Sequence, residues 1–115
     1  MSTYHPTVGH AWTLLVIAGL LEIGWAIGMK STDGFTRPGP TAAVVVTALL
    51  SFYLLALAMR TLPAGTAYAG WVGIGAAGAA VLGIVLLGEA ASPARISSVL
   101  LIVGGVVGLR VFASG

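Results

Sequence analysis

The run Ala11-Trp-Thr-Leu-Leu-Val-Ile-Ala-Gly-Leu-Leu-Glu-Ile-Gly-Trp-Ala-Ile-Gly-Met29 is hydrophobic throughout, with one ionisable residue inside it, Glu22. A membrane-crossing helix needs about 20 apolar residues, each adding ~1.5 Å of rise, and this run has that length. Charges divide the rest of the chain into segments of similar size. Between Arg37 and Arg60 lie 22 uncharged residues, and between Arg60 and Glu89 lie 28. Arg95 and Arg110 bracket a shorter stretch, which reaches spanning length if the helix starts near Pro93 and both arginines extend towards headgroups. The pattern predicts helices over 11–30, 41–60, 65–88 and 93–113. The fold expected is an all-α membrane protein with four short transmembrane helices per chain.

Composition supports this and removes other classes. Only 7% of the 115 residues are charged and 58% are hydrophobic, whereas a soluble domain carries about 25% charge. Disordered segments are polar and charged, so disorder is excluded as well. With no cysteine, disulfide frameworks, iron–sulfur clusters, Cys-type zinc sites and thiol nucleophiles all fall away. The net charge of +2 comes from scattered residues with no basic run, so nucleic acid is not an expected partner.

The connections are turn chemistry. Ser31-Thr-Asp-Gly-Phe-Thr-Arg-Pro-Gly-Pro40, Thr61-Leu-Pro-Ala-Gly65 and Gly88-Glu-Ala-Ala-Ser-Pro93 break helices and are too short to hold a soluble domain. Residues 1–10 read as a polar N-terminal tail and 11–115 as the transmembrane domain. A signal peptide does not fit, since no basic region precedes Ala11 and Glu22 would lie inside its apolar segment. His5 and His10 lack a third ligand and read as solvated residues. Four spans place Arg60 and Arg110 on one side and Lys30, Arg37 and Arg95 on the other. Orientation needs an excess of Lys and Arg on one side. Two against three is either noise among few charges or the mark of a chain that inserts both ways and pairs antiparallel.

Glu22 is the outlier. It lies about 16 Å along the first span from Ala11, near mid-membrane, where a carboxylate is costly and marks ion or substrate paths. No basic residue lies deep in the other spans to neutralise it. Gly19 and Trp25, at i−3 and i+3, share its helical face, which offers an indole surface for a flat cation. Tyr68 and Trp71 are also i, i+3 in the third span, an arrangement equally suited to packing. Ser51 is the main polar group of the second span, and a lone Ser there commonly bonds its own backbone. Gly73-Ile-Gly75-Ala-Ala-Gly78 matches a dinucleotide-binding pattern but lacks the strand–helix context; its glycines instead let helices approach closely. Gly104-Gly-Val-Val-Gly108 is a candidate helix dimerisation face on the same reasoning.

Four short spans, Glu22 in the first, and Gly65-Thr-Ala-Tyr-Ala-Gly-Trp-Val-Gly-Ile-Gly75 in the third resemble the small multidrug resistance (SMR) transporters. Gly19-Leu-Leu-Glu-Ile-Gly-Trp-Ala-Ile-Gly-Met-Lys30, with Leu62-Pro-Ala-Gly65 and Leu87-Gly-Glu-Ala90, resembles the guanidinium-exporter branch of that family. The resemblance implies a multi-pass protein of the bacterial inner (plasma) membrane, a transporter and not an enzyme. It implies an antiparallel homodimer, or a heterodimer of paired chains, with one Glu from each subunit. Glu22 would then bind both proton and substrate, with Gly19, Trp25, Ser51, Tyr68 and Trp71 lining the site or bonding the carboxylate. Two departures stand out: Gly70 replaces an expected larger apolar residue, and Val72 an expected Thr or Ser. Two carboxylates in a low-dielectric site cannot both ionise cheaply. Guanidinium, with its charge and planar donors, competes with protons for them. Antiport follows if only loaded states change access, with no ATP, metal or other cofactor required. The alternatives are a proton-coupled exporter of quaternary ammonium or other hydrophobic cations, and a non-transporting subunit of a heterodimer.

Overall fold

A computed structural model describes residues 5–112. Among them are four α-helices and no strand: α1 (Val8–Gly28), α2 (Pro38–Ala58), α3 (Ala64–Leu87) and α4 (Pro93–Val111), with a 3-10 turn over Met29–Thr32 after α1. All four are long and apolar enough to cross a membrane. The four expected spans are therefore present, with shifted ends.

Three of the shifted ends have a local cause. Thr7 caps α1 by accepting a hydrogen bond from the backbone N–H of His10 at 3.2 Å, so the helix starts before Ala11 and takes up His10. The Pro38-Gly39-Pro40 sequence was expected to precede α2, yet Pro38 opens it. A proline in the first turn loses no hydrogen bond, because that N–H has no helical partner, and its fixed φ suits the helix. The C-terminus of α3 closes on Gly88, whose φ of 68° is left-handed, while the Glu89 N–H reaches back to the Gly83 carbonyl at 3.1 Å. This is the usual glycine stop for a helix. Ser92 then caps α4 by accepting from the Arg95 N–H at 3.2 Å, with Pro93 in its first turn. The expected end of α4 at residue 113 lies outside the described residues.

The two arginines at the ends of α4, in its first and last turns, are both engaged. Arg95 pairs with Glu89 at 2.5 Å and also donates to the Ala80 carbonyl at 3.4 Å, which ties the start of α4 to the last turns of α3. The Arg110 guanidinium lies 5.7 Å from the centre of the Trp12 ring, a cation–π distance.

The helices form a slab of 40 × 38 × 16 Å. α1 packs on both α2 and α3, whereas α4 packs on α3 and buries only Val99. Lipid is as apolar as leucine, so helices associate through close packing and hydrogen bonds more than through the hydrophobic effect. Small residues make that packing possible. Ala11, Ala18, Ala58 and Ala67 are completely buried, and bulky side chains of one helix enter the gaps left by glycines of the next. Ile74 of α3 fills the space beside Gly19, and Ile23 of α1 fills that beside Gly78. The dinucleotide-like glycines lie within α3 and serve this packing. Gly104 and Gly105 face open space on the single chain.

Adding a methyl at Gly78 would overlap Ile23, while one at Gly9 meets nothing within 4 Å. Gly78→Ala is expected to destabilise the protein by about 1–3 kcal/mol, the usual cost of overpacking. Gly9→Ala should have no such cost. Thermal unfolding in detergent micelles checks both.

Candidate functional site

The middle of α1 supplies the acidic group. Glu22 is partly buried, and its Oε1 is buried with no hydrogen-bond partner. The only ion pair among the described residues joins Glu89 to Arg95, so no basic side chain neutralises it. The carboxyl lies against α3 at Gly75, where any Cβ would overlap it. Trp25, one turn further along α1, has a buried Nε1 that likewise lacks a partner. This face of α1 thus carries an unmatched acceptor and an unmatched donor; the Trp12 Nε1 and the Thr41 Oγ1 are the other buried polar side-chain atoms without a partner among the described residues.

Around this face the three packed helices are pinned by one hydroxyl. Ser51 is fully buried. Its Oγ donates to the Ala18 carbonyl of α1 at 2.6 Å and accepts from the Trp71 Nε1 of α3 at 2.9 Å. The expectation that a lone serine bonds its own helix does not hold here. Ala18 has only a methyl group, so α2 approaches closely enough for Ser51 to reach an α1 carbonyl. Beside this junction runs a series of aromatic contacts. Trp25 meets Phe52 edge to face at 6.2 Å, Phe52 meets Trp71 at 5.6 Å, and Trp71 meets Tyr68 at 5.6 Å. Trp71 is buried, whereas Phe52 and Tyr68 on either side of it are exposed on the single chain.

Trp25, Ser51, Tyr68 and Trp71 are therefore brought together, but none of their polar atoms bonds the Glu22 carboxyl. Gly19 is near in sequence, yet the space it leaves is taken by Ile74. Two members were missed from sequence. Phe52 links the two tryptophans, and Gly75 faces the carboxyl; both depend on how the helices rotate against each other, which no residue pattern displays. Of the two departures, Gly70 faces Leu15 and Trp12 of α1, with Leu15 Cδ2 at 2.8 Å from where a Cβ would lie. It makes room for core packing and does not touch Glu22. Val72 is exposed on the single chain, outside the buried Ser51–Trp71 bond.

Ser51→Ala removes an acceptor and leaves the Trp71 N–H buried and unpaired. A cost of about 1–3 kcal/mol is expected for such an orphan, with a changed Trp71 emission maximum. Unfolding midpoints and fluorescence in detergent measure both, and Ser51→Thr should retain most of the bond.

Comparison with known proteins agrees with this architecture. Residues 10–102 match the family described as Small Multidrug Resistance protein. A protein named Guanidinium exporter from Citrobacter freundii is 58% identical over 100 residues, covering 87% of this chain and 95% of that one. Its namesake from Escherichia coli (strain K12) is 57% identical over the same shares. Another, from Salmonella typhimurium (strain LT2), is 55% identical over 103 residues, covering 90% of this chain and 98% of its own. With four spanning helices, the chain is a multi-pass protein of the bacterial inner membrane, and it belongs to the small multidrug resistance family.

Proposed function

We propose that the protein is a proton-coupled antiporter that exports guanidinium across the cytoplasmic membrane. The observation that carries this reading is Glu22, a mid-helix carboxyl whose buried Oε1 has no partner among the described residues and which no basic side chain among them neutralises. A carboxylate so placed favours whatever neutralises it. A proton does so, and so does a cation with planar N–H donors that fit a carboxylate. The unpaired Trp25 indole and the aromatic series beyond it supply a flat π surface of the kind cations prefer. The names of the relatives support guanidinium as that cation.

Proton and guanidinium then compete for one group, and neither can be bound while the other is. If access changes sides only when the group is loaded, each outward guanidinium is exchanged for inward protons. The cycle is transport and not catalysis, and it needs no ATP, metal or other cofactor. In this reading two copies assemble antiparallel, each contributing its Glu22. The near-even division of basic residues, two against three, supports dual insertion. The open face of α4, with Gly104 and Gly105 unpacked, supplies a surface for the second copy.

The test is flux in liposomes containing this chain alone. A pH gradient is expected to drive guanidinium uphill, and Glu22→Gln should abolish both binding and coupling while leaving a folded protein. Apparent guanidinium affinity should fall as the pH is lowered and protons occupy the carboxyl. Transport of a tetra-substituted ammonium equal to that of guanidinium would instead assign a broad cation exporter. An inactive homogeneous preparation that a second chain restores would assign a heterodimer subunit.

A further inference from the structure

We propose that Gly75 is a positioning residue for Glu22: having no side chain, it seats the carboxyl between α1 and α3. This rests on the reading of Glu22 as the proton- and cation-binding group. A Cβ built on Gly75 would fall within the Glu22 Cδ and Oε1 atoms and lie only 2.7 Å from its Cγ. Gly19 and Gly78, on the same α1–α3 interface, each meet an isoleucine. Gly75 alone among these meets a carboxyl. The other long helix packed on α1 is α2, where Ser51 is committed to the Ala18 carbonyl and the Trp71 indole and Thr47 to the Ala43 carbonyl. Nothing on α2 therefore fixes the Glu22 rotamer by a hydrogen bond.

The consequence is mechanical. The carboxyl is held by shape, against bare backbone, with Oε1 shielded and free of a fixed donor. A carboxyl held this way keeps its capacity to accept hydrogen bonds for a proton or a cation. A methyl at this position pushes Cδ and Oε1 out of the seat and changes their surroundings. Both the proton and the cation would then meet the group in a different place.

The experiment is a double-mutant cycle on the full-length protein. Gly75→Ala is combined with Glu22→Ala, which removes Cγ, Cδ and the oxygens together. Gly78→Ala serves as the control, since its overlap is with Ile23. Melting in detergent, which needs no substrate, should show a drop of several degrees for Gly75→Ala in the parent and little or none in Glu22→Ala. The drop for Gly78→Ala should be the same in both backgrounds. If Gly75→Ala fails to assemble in the parent, assembly of the double variant is the corresponding positive result. Equal loss in both backgrounds, or failure of both proteins to assemble, overturns the proposal and makes Gly75 an ordinary helix-contact residue.

Guanidinium binding gives the second readout. Gly75→Ala should weaken it by about tenfold to a hundredfold, the scale seen when a reacting group is misplaced by roughly an ångström. The pH midpoint of binding should also move, while Gly78→Ala keeps the parent midpoint. An unmoved midpoint in Gly75→Ala contradicts the seat. A parent that melts normally but binds no guanidinium overturns the transport reading instead, and the melting cycle then decides the seating of the carboxyl by itself.

Discussion

A carboxyl group inside a membrane helix has to be neutralised, and the rest of this molecule is arranged around Glu22 without neutralising it. Moving an unpaired carboxylate into a low-dielectric interior costs several kcal/mol or more. The usual remedies are a basic partner or a set of donors. Neither is seen among the described residues: the ion pair there is spent at the α3–α4 link between Glu89 and Arg95, and the fully buried Ser51 hydroxyl is committed elsewhere. The remaining remedy is a mobile one, a proton or a cation from solution. Exchange between these two is what the proposed antiport consists of.

The packing that surrounds Glu22 is stable for reasons that do not involve it. Three helices close on alanines and glycines, and Ser51 binds all three at one point by joining an α1 carbonyl to an α3 indole. Interhelical hydrogen bonds of this kind contribute about 0.6–2 kcal/mol each in membranes. The scaffold can thus hold its shape while Glu22 changes its occupant. α4 stands apart from this unit and contacts α3, leaving most of its apolar surface exposed on the single chain.

Spans, links and the acidic group were all legible in the sequence, because each rests on a one-dimensional signal: distance between charges, turn residues, and a lone Glu in an apolar run. Helix starts were displaced where a local signal has two meanings. Pro38 breaks a helix from within but opens one at its first turn, and Thr7 is polar tail chemistry until it is seen to cap α1. The aromatic pair Tyr68 and Trp71 was legible from spacing alone. What spacing could not show was the rotation of one helix against another. That rotation turns Ser51 towards Ala18 and puts Phe52 between two tryptophans. It also sets Ile74 into the gap at Gly19 and brings Gly75 against the carboxyl. Gly70, a departure in the sequence, is explained by the bulk of Leu15 opposite it.

The central claim is that proton and cation occupy the same group. Counting the protons released when guanidinium is added to the detergent-solubilised protein, over a range of pH in weak buffer, tests this most directly. The account predicts release that is greatest where Glu22 starts out protonated, dwindles as the pH rises, and vanishes in Glu22→Gln. Guanidinium binding of undiminished affinity with no proton released at any pH would contradict it.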